Sequence, residues 1–272
     1  MDLRSDPATG RWVAYAPARA TRPGAAEPVE DELASCPFCA GHEDRTPPET
    51  LRLGDGPTGW RVRVVPNLYP ALERQEVVVH GPEHRRSLAE LDDGTLDLIA
   101  AAWQRRAADV GGTVFAFVNE GHVAGASLPH SHSQLAWLPG PPPSLVRERG
   151  LPETERILAT DGLLAGCPVA SRVPYEIQIA PERREAGAFR SALLAPALRL
   201  LADLVRALHA VHGDDLPLNA WLHDGPHWHL ELLPRTTRLA GLELGADVWI
   251  NPVPPERAAA EIRATARAWA GG

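Results

Sequence analysis

Residues 127–135 read Ser-Leu-Pro-His-Ser-His-Ser-Gln-Leu, so His130, His132 and Gln134 recur at every second position. In an extended strand, side chains at i, i+2 and i+4 point to one face. The spacing therefore predicts two imidazoles and a carboxamide on one wall of a site. Imidazole is the side chain whose ordinary titration lies near neutral pH, and it acts as nucleophile, proton carrier or metal ligand. A lone histidine is more often structural, but this trio follows a glycine-rich approach, "NEGHVAGAS" (119–127). Gly121 and Gly125 let the backbone come close to a ligand, and exposed N–H groups in such loops suit phosphate oxygens.

Two further clusters could do chemistry. Cys36 and Cys39 stand as C-x-x-C with Cys167 as the third cysteine, too few for a disulfide framework. The pair offers two soft ligands at zinc spacing, which two histidines would complete to a tetrahedron; a redox pair or buried thiols are the alternatives. Late in the chain, His223, His227 and His229 form a second group, and the last two share a face if that stretch is a strand.

Elements must position these residues. "WRVRVVPN" (60–67), "QEVVVH" (75–80) and "TVFAFVN" (113–119) read as strands, being short and rich in β-branched or aromatic residues. Helical spacing of Leu, Ile, Ala and Trp runs over 87–110 and stops at Gly111-Gly112. The order returns as "YEIQIAPE" (175–182), a helical stretch over 188–211, "PLNAWLH" (217–223) and "HWHLELL" (227–233). Glu76 matches Glu176 at an offset of 176 − 76 = 100, and His130 matches His227 at 227 − 130 = 97. Near-constant offsets are the mark of duplicated units. The expected fold is α+β: two tandem repeats, 1–140 and 151–272, forming one mostly antiparallel sheet flanked by helices. The proline-rich segment 138–150 is the joint, and the first 59 residues are expected to be irregular loops.

Composition excludes other classes. The chain has 272 residues, 44% hydrophobic and 23% charged, with a formal net charge of −8. Nucleic acid or an anionic membrane would reward a basic face, so neither is expected as partner. No apolar run reaches the roughly 20 residues of a bilayer crossing, and the first residues lack a signal-peptide pattern; a cytoplasmic protein is expected.

"NEGHVAGASLPHSHSQ" (119–134) resembles the active-site signature of the galactose-1-phosphate uridylyltransferase family, a branch of the histidine-triad superfamily. Similar segments follow in family order: "RSDPATGRWVAYAPARATRP" (4–23), "CPFCAGHEDRTPPE" (36–49), "VVPNLYPAL" (64–72), "HWHLELLPR" (227–235) and "LELGADVWINPVPPERAAAEIR" (242–263). The resemblance implies histidine-triad-like halves and ping-pong transfer of a uridylyl group from UDP-glucose to a hexose 1-phosphate, as in galactose metabolism. His132 matches the nucleophile, Gln134 a hydrogen-bond donor to a phosphoryl oxygen, and Ser127, Gly125 and Ala126 the diphosphate cradle. Arg19, Arg22, Asn67 and Asn119 match nucleotide and phosphate contacts; Glu243 and Asn251 match hexose contacts. Structural Zn²⁺ is implied at Cys36, Cys39, His84 and His130. A second Zn²⁺ or Fe²⁺ is implied at Glu148, His223, His227 and His229. A homodimer is implied as well. Ser131 stands where the best-known members have proline, and a His-Ser-His core also resembles relatives that transfer adenylyl groups, such as ADP-glucose phosphorylases. The alternatives are thus an adenylyltransferase of the same superfamily or a nucleotide-sugar hydrolase.

Overall fold

The computed structural model describes residues 2–17, 19, 33–148 and 150–270. Two compact units emerge, residues 1–118 with 126–149 and residues 119–125 with 150–272. The fold is α+β, antiparallel sheet flanked by helices. Among the described residues no helix is long and apolar enough to cross a membrane.

In the first unit, β3 (Leu51–Leu53), β4 (Val62–Pro66), β5 (Gln75–Val79), β6 (Thr113–Glu120) and β7 (His132–Leu138) align in the order β3-β4-β5-β7-β6. β5 is buried along its whole length, as its run of three valines, Val77 to Val79, leads one to expect for a strand covered on both faces. Its register with β7 pairs Val77 with Gln134, Val78 with Ser133 and Val79 with His132. Directly opposed residues of antiparallel strands share a face, so Val77, Val79, His132 and Gln134 lie on one side and Val78 and Ser133 on the other. The first side carries a small core of Cys36, Phe38, Cys39, Trp60, Val65, Val77 and Val79. Helix α1 (Asp93–Val110) packs on β3 and β4 and buries Leu96, Ile99 and Trp103. Sequence periodicity extends this helix back to residue 87, but Asp92 is extended (φ −80°, ψ 159°) and accepts from the Thr95 amide. The chain before it makes only a 3-10 turn, Leu88–Glu90, with Ser87 as its own N-cap. Two capping residues in succession break one pattern into two elements.

The first 59 residues are less irregular than expected: β1 (Asp2–Ser5) pairs antiparallel with β2 (Trp12–Tyr15), and β3 joins the sheet edge beside β4. The short helix α2 (Pro143–Arg147) lies in the proline-rich joint.

The second unit orders β8 (Thr154–Thr160), β9 (Leu163–Pro168), β10 (Ile177–Pro181), β11 (Leu218–His223) and β12 (His229–Pro234) as β11-β12-β10-β9-β8. The succession β5-β7-β6 of the first unit thus returns as β10-β12-β11, which is the internal repeat expressed as topology. Helix α3 (Leu194–His212) buries a continuous Leu/Ala/Val face, beginning later than its periodicity suggests, with Pro196 in the first turn where no amide donor is needed. Helix α5 (Pro255–Ala270) packs on α3, β8 and β9, and α4 (Gly241–Ala246) precedes it. Each unit buries a repeat-related glutamate against arginine: Glu76 receives two bonds from Arg106 at 2.8 and 2.9 Å, and Glu176 pairs with Arg172.

Candidate active site

Strand β7 begins at His132 rather than before His130, so the expected trio divides. His132 and Gln134 line a pocket of about 240 Å³ with Phe38, Val65, Asn67 and Ser127. His130 precedes the strand, and its ring turns to the cysteine pair. Nδ1 of His132 lies 2.8 Å from the His130 carbonyl oxygen. A carbonyl can only accept, so the proton sits on Nδ1 and the lone pair on Nε2. Phe38 packs edge-on against both rings, its centroid 5.9 Å from that of His130 and 5.4 Å from that of His132.

The orientation of Gln134 is also fixed. Its Oε1 accepts from Gln75 Nε2 at 2.6 Å and from Asn67 Nδ2 at 3.2 Å. Both donors are themselves held: Gln75 Oε1 accepts from the Ala71 amide and Asn67 Oδ1 from the Tyr69 amide. With its oxygen engaged twice, Gln134 keeps its NH₂ as the group available to an anion. Gln75 was not singled out by sequence; its register beside β7 is what makes it matter. Arg19 donates to the Tyr69 carbonyl at 2.7 Å, which places it on the loop that lines this pocket. Arg22 lies outside the described residues.

Cys36, Cys39, His84 and His130 bring their ligand atoms within 4.8 Å of one another. Tetrahedral Zn²⁺ with bonds of about 2.3 Å to sulfur and 2.05 Å to nitrogen separates those atoms by roughly 3.5 Å. The distances are 3.4 Å for Cys36 Sγ to His130 Nδ1, 3.3 Å for Cys39 Sγ to His84 Nδ1 and 3.6 Å for Cys39 Sγ to His130 Nδ1. His130 Nε2 donates to the Gly81 carbonyl at 3.0 Å, which fixes the tautomer and leaves Nδ1 as the ligand atom. Burial pushes the His130 imidazole down to about 4, in the direction that keeps it neutral. The donor set fits a structural zinc.

In the second unit, Gly121 and Gly125 adopt φ of +80° and +90° around the turn His122–Ala124. A Cβ on Gly121 would lie 2.9 Å from Pro217 Cβ, so glycine is required there. Asn119 Oδ1 accepts from Asn219 Nδ2 at 2.8 Å, joining residues at the repeat offset of 219 − 119 = 100. Strand β12 starts at His229, so His227 and His229 part as His130 and His132 do. His227 Nε2 donates to the Pro181 carbonyl at 2.9 Å, the counterpart of His130 on Gly81. His223 and His229 pack with ring centroids 4.8 Å apart, and Glu231 Oε1 lies 3.5 Å from His223 Nδ1 and 3.4 Å from His229 Nε2. Glu231 occupies the repeat position of Gln134, since 231 − 134 = 97, a correspondence the offset could have revealed. Burial alone would raise its carboxyl, but the His229 hydrogen bond and the Arg172 charge carry it down to about 2. Glu148 belongs to the first unit, at the end of α2. Glu243 accepts from the Ala240 amide at the start of α4, and Asn251 donates to the Ser171 carbonyl at 3.0 Å.

Residues 70–138 match the family described as galactose-1-phosphate uridyl transferase, N-terminal domain. ADP-glucose phosphorylase of Arabidopsis thaliana is 29% identical over 96% of this chain and 92% of its own. Galactose-1-phosphate uridylyltransferase of Thermotoga maritima is 25% identical over 97% of this chain and 98% of its own. The crystal structure of an Arabidopsis thaliana ADP-glucose phosphorylase with bound ADP-glucose superposes with a TM-score of 0.76 at 28% identity, covering 96% of this chain and 98% of that one. Fold and site together define a nucleotidyltransferase-type enzyme of the histidine-triad superfamily. Within it, the chain is similar both to galactose-1-phosphate uridylyltransferases and to ADP-glucose phosphorylase.

Proposed function

We propose that the protein transfers a nucleoside monophosphate from a nucleoside diphosphate hexose to an acceptor through a covalent adduct on His132. The observation that carries this reading is His132 in the pocket wall, its Nδ1–H tied to the His130 carbonyl at 2.8 Å. Nε2 attacks the α-phosphorus, the N–P bond forms as the P–O bond to the sugar phosphate breaks, and sugar 1-phosphate leaves with the bonding pair. No proton need move, because the attacking nitrogen carries none. The positive charge that develops on the ring is delocalised to Nδ1–H, where the His130 carbonyl oxygen stabilises it. The Gln134 NH₂ donates to a nonbridging oxygen as charge builds there, and Ser127 in the same wall is a second donor. In the second half-reaction an acceptor phosphate oxygen attacks the phosphorus and returns the imidazole, splitting one difficult transfer into two easier ones. Cys36, Cys39, His84 and His130 would hold a zinc ion whose contribution is a structural crosslink at the base of the nucleophile's strand.

For the nucleotide, the family match supports uridylyl transfer from UDP-glucose to a hexose 1-phosphate. The adenylyl reading, with an ADP-sugar as donor, is favoured by the 29% identity to an ADP-glucose phosphorylase and by Ser131 in the His-Ser-His core. Intact-protein mass spectrometry after exposure to UDP-glucose, UDP-galactose and ADP-glucose in parallel separates them. The donor that adds a nucleoside monophosphate to the protein names the nucleotide. Continuous release of nucleoside monophosphate without added acceptor means a hydrolase instead.

A further inference from the structure

One fully buried side chain has no part in this reading: His80, the residue that follows β5. The last registered pair of the β5–β7 ladder is Val79 with His132, so the nucleophile stands on the terminal rung. Ladder ends are where local opening is easiest. His80 lies just past that rung. Its Nδ1 is 3.0 Å from Ser131 Oγ and its Nε2 is 2.9 Å from Ser133 Oγ, so one rigid ring bridges the two residues that flank His132. The His80 amide also donates to the Ser131 carbonyl at 3.2 Å, and the Ser131 amide to the Arg85 carbonyl at 2.6 Å, a bond proline could not make. Behind them, Trp103 of α1 donates its Nε1–H to Ser133 Oγ at 2.9 Å.

A neutral imidazole brings one donor and one acceptor. Ser133, accepting from Trp103, gives its own hydrogen to His80 Nε2, and His80 Nδ1–H donates to Ser131, so each bond from Trp103 to Ser131 has one donor and one acceptor. A buried polar ring costs stability unless it is partnered, and an aliphatic or phenyl side chain would fill this volume without fastening either serine.

We propose that His80 is a positioning residue for the nucleophile. Through the chain Trp103–Ser133–His80–Ser131 it clamps both neighbours of His132 and fixes the imidazole for in-line attack. The need follows from the 2.8 Å bond between His132 Nδ1 and the His130 carbonyl: both ends of that bond belong to the segment 130–132, so any slip of the Ser131 peptides re-aims the ring. A displacement of about 1 Å at a reacting atom can slow transfer about 100-fold. This proposal rests on the reading of His132 as nucleophile.

The test uses the full-length protein with His80→Phe, His80→Asn and Ser131→Ala. Each is measured for single-turnover release of sugar 1-phosphate with the nucleotide sugar that loads the wild type, for the Kd of that sugar, and for bound zinc. His80→Phe is expected to load about 10- to 100-fold more slowly with Kd and zinc content unchanged. His80→Asn, which keeps a polar atom near the position of Nδ1, recovers part of the rate. Should His80→Phe not fold, Ser131→Ala decides, since it removes one bond and leaves the ring. Loading at the wild-type rate by the folded variants, or a slowing that tracks loss of zinc or weaker binding, overturns the positioning role. A wild type that never loads His132 overturns the nucleophile reading itself, and the positioning role with it.

Discussion

Gln75→Leu tests whether the orientation of Gln134 is set from outside the pocket. The Gln134 oxygen accepts at 2.6 Å from Gln75 and 3.2 Å from Asn67, and each such bond contributes about 1 kcal/mol net. Removing the shorter one leaves a single long bond to oppose rotation of the amide. The preference for the productive orientation then drops by about 1–1.5 kcal/mol, roughly tenfold in the ratio of the two orientations. Rotated, Gln134 presents its oxygen to the phosphoryl group and repels it. Deleting a transition-state donor outright costs about 100- to 1000-fold, so Gln134→Ala sets the ceiling, and Gln75→Leu should slow loading between about twofold, where the two orientations become equal, and about tenfold, where the rotated one prevails. The Ala71 amide also loses its acceptor, so a stability loss of about 1 kcal/mol should accompany the change. The assay is rapid-quench measurement of sugar 1-phosphate release in a single turnover, with the double variant to close the cycle. If Gln75 acts through Gln134, the double variant is no slower than Gln134→Ala. An unchanged rate for Gln75→Leu, or a full tenfold further loss in the double variant, refutes the reasoning.

Other perturbations have equally definite outcomes. Arg106→Met strands the Glu76 carboxylate, whose side chain is only 4% exposed, and should cost about 3–5 kcal/mol in urea unfolding; a loss under about 1 kcal/mol would show that the pair is not held as described. Cys36→Ser should lower bound zinc and Tm together, as should a chelator, because structural metal contributes folding free energy; an unshifted melting curve contradicts the metal assignment. The Glu49 carboxyl is held below its ordinary 4.5 by hydrogen bonds from Arg52 and Arg63 that outweigh partial burial. A depressed carboxylate stabilises fully above its unfolded-state value and loses that contribution as pH falls through the folded one. Glu49→Gln should therefore be less stable than wild type at pH 7, with the gap closing below pH 4.5; a gap constant with pH in chemical unfolding would disprove it.

Much of this arrangement is legible in the sequence, for identifiable reasons. The runs at 62–66 and 75–79 are rich in valine because β4 and β5 are buried along nearly their whole length, and buried strands announce themselves that way. The repeat offsets gave the correspondence of β5-β7-β6 with β10-β12-β11 because duplication preserves register as well as residue type. The hairpin β8–β9 was not found, although Asp161 and Gly162, with φ of 51° and 79°, form the two-residue turn that Asp-Gly favours in such hairpins. Its first strand, "TERILAT", carries too few apolar residues to register as a strand. The strand boundary at His132 was equally hidden: alternation continues through 130, but the chain leaves the ladder there to bring His130 to the cysteines. Gln75 and His80 escaped because their roles depend on cross-strand neighbours 59 and 51 residues away, which no local pattern records.

The most direct measurement is peptide mapping of the protein after it meets a nucleoside diphosphate hexose without acceptor. The mechanism requires one nucleoside monophosphate on His132 and one equivalent of sugar 1-phosphate in solution, with both lost in His132→Gly. An adduct on another residue, or turnover by His132→Gly, would contradict it.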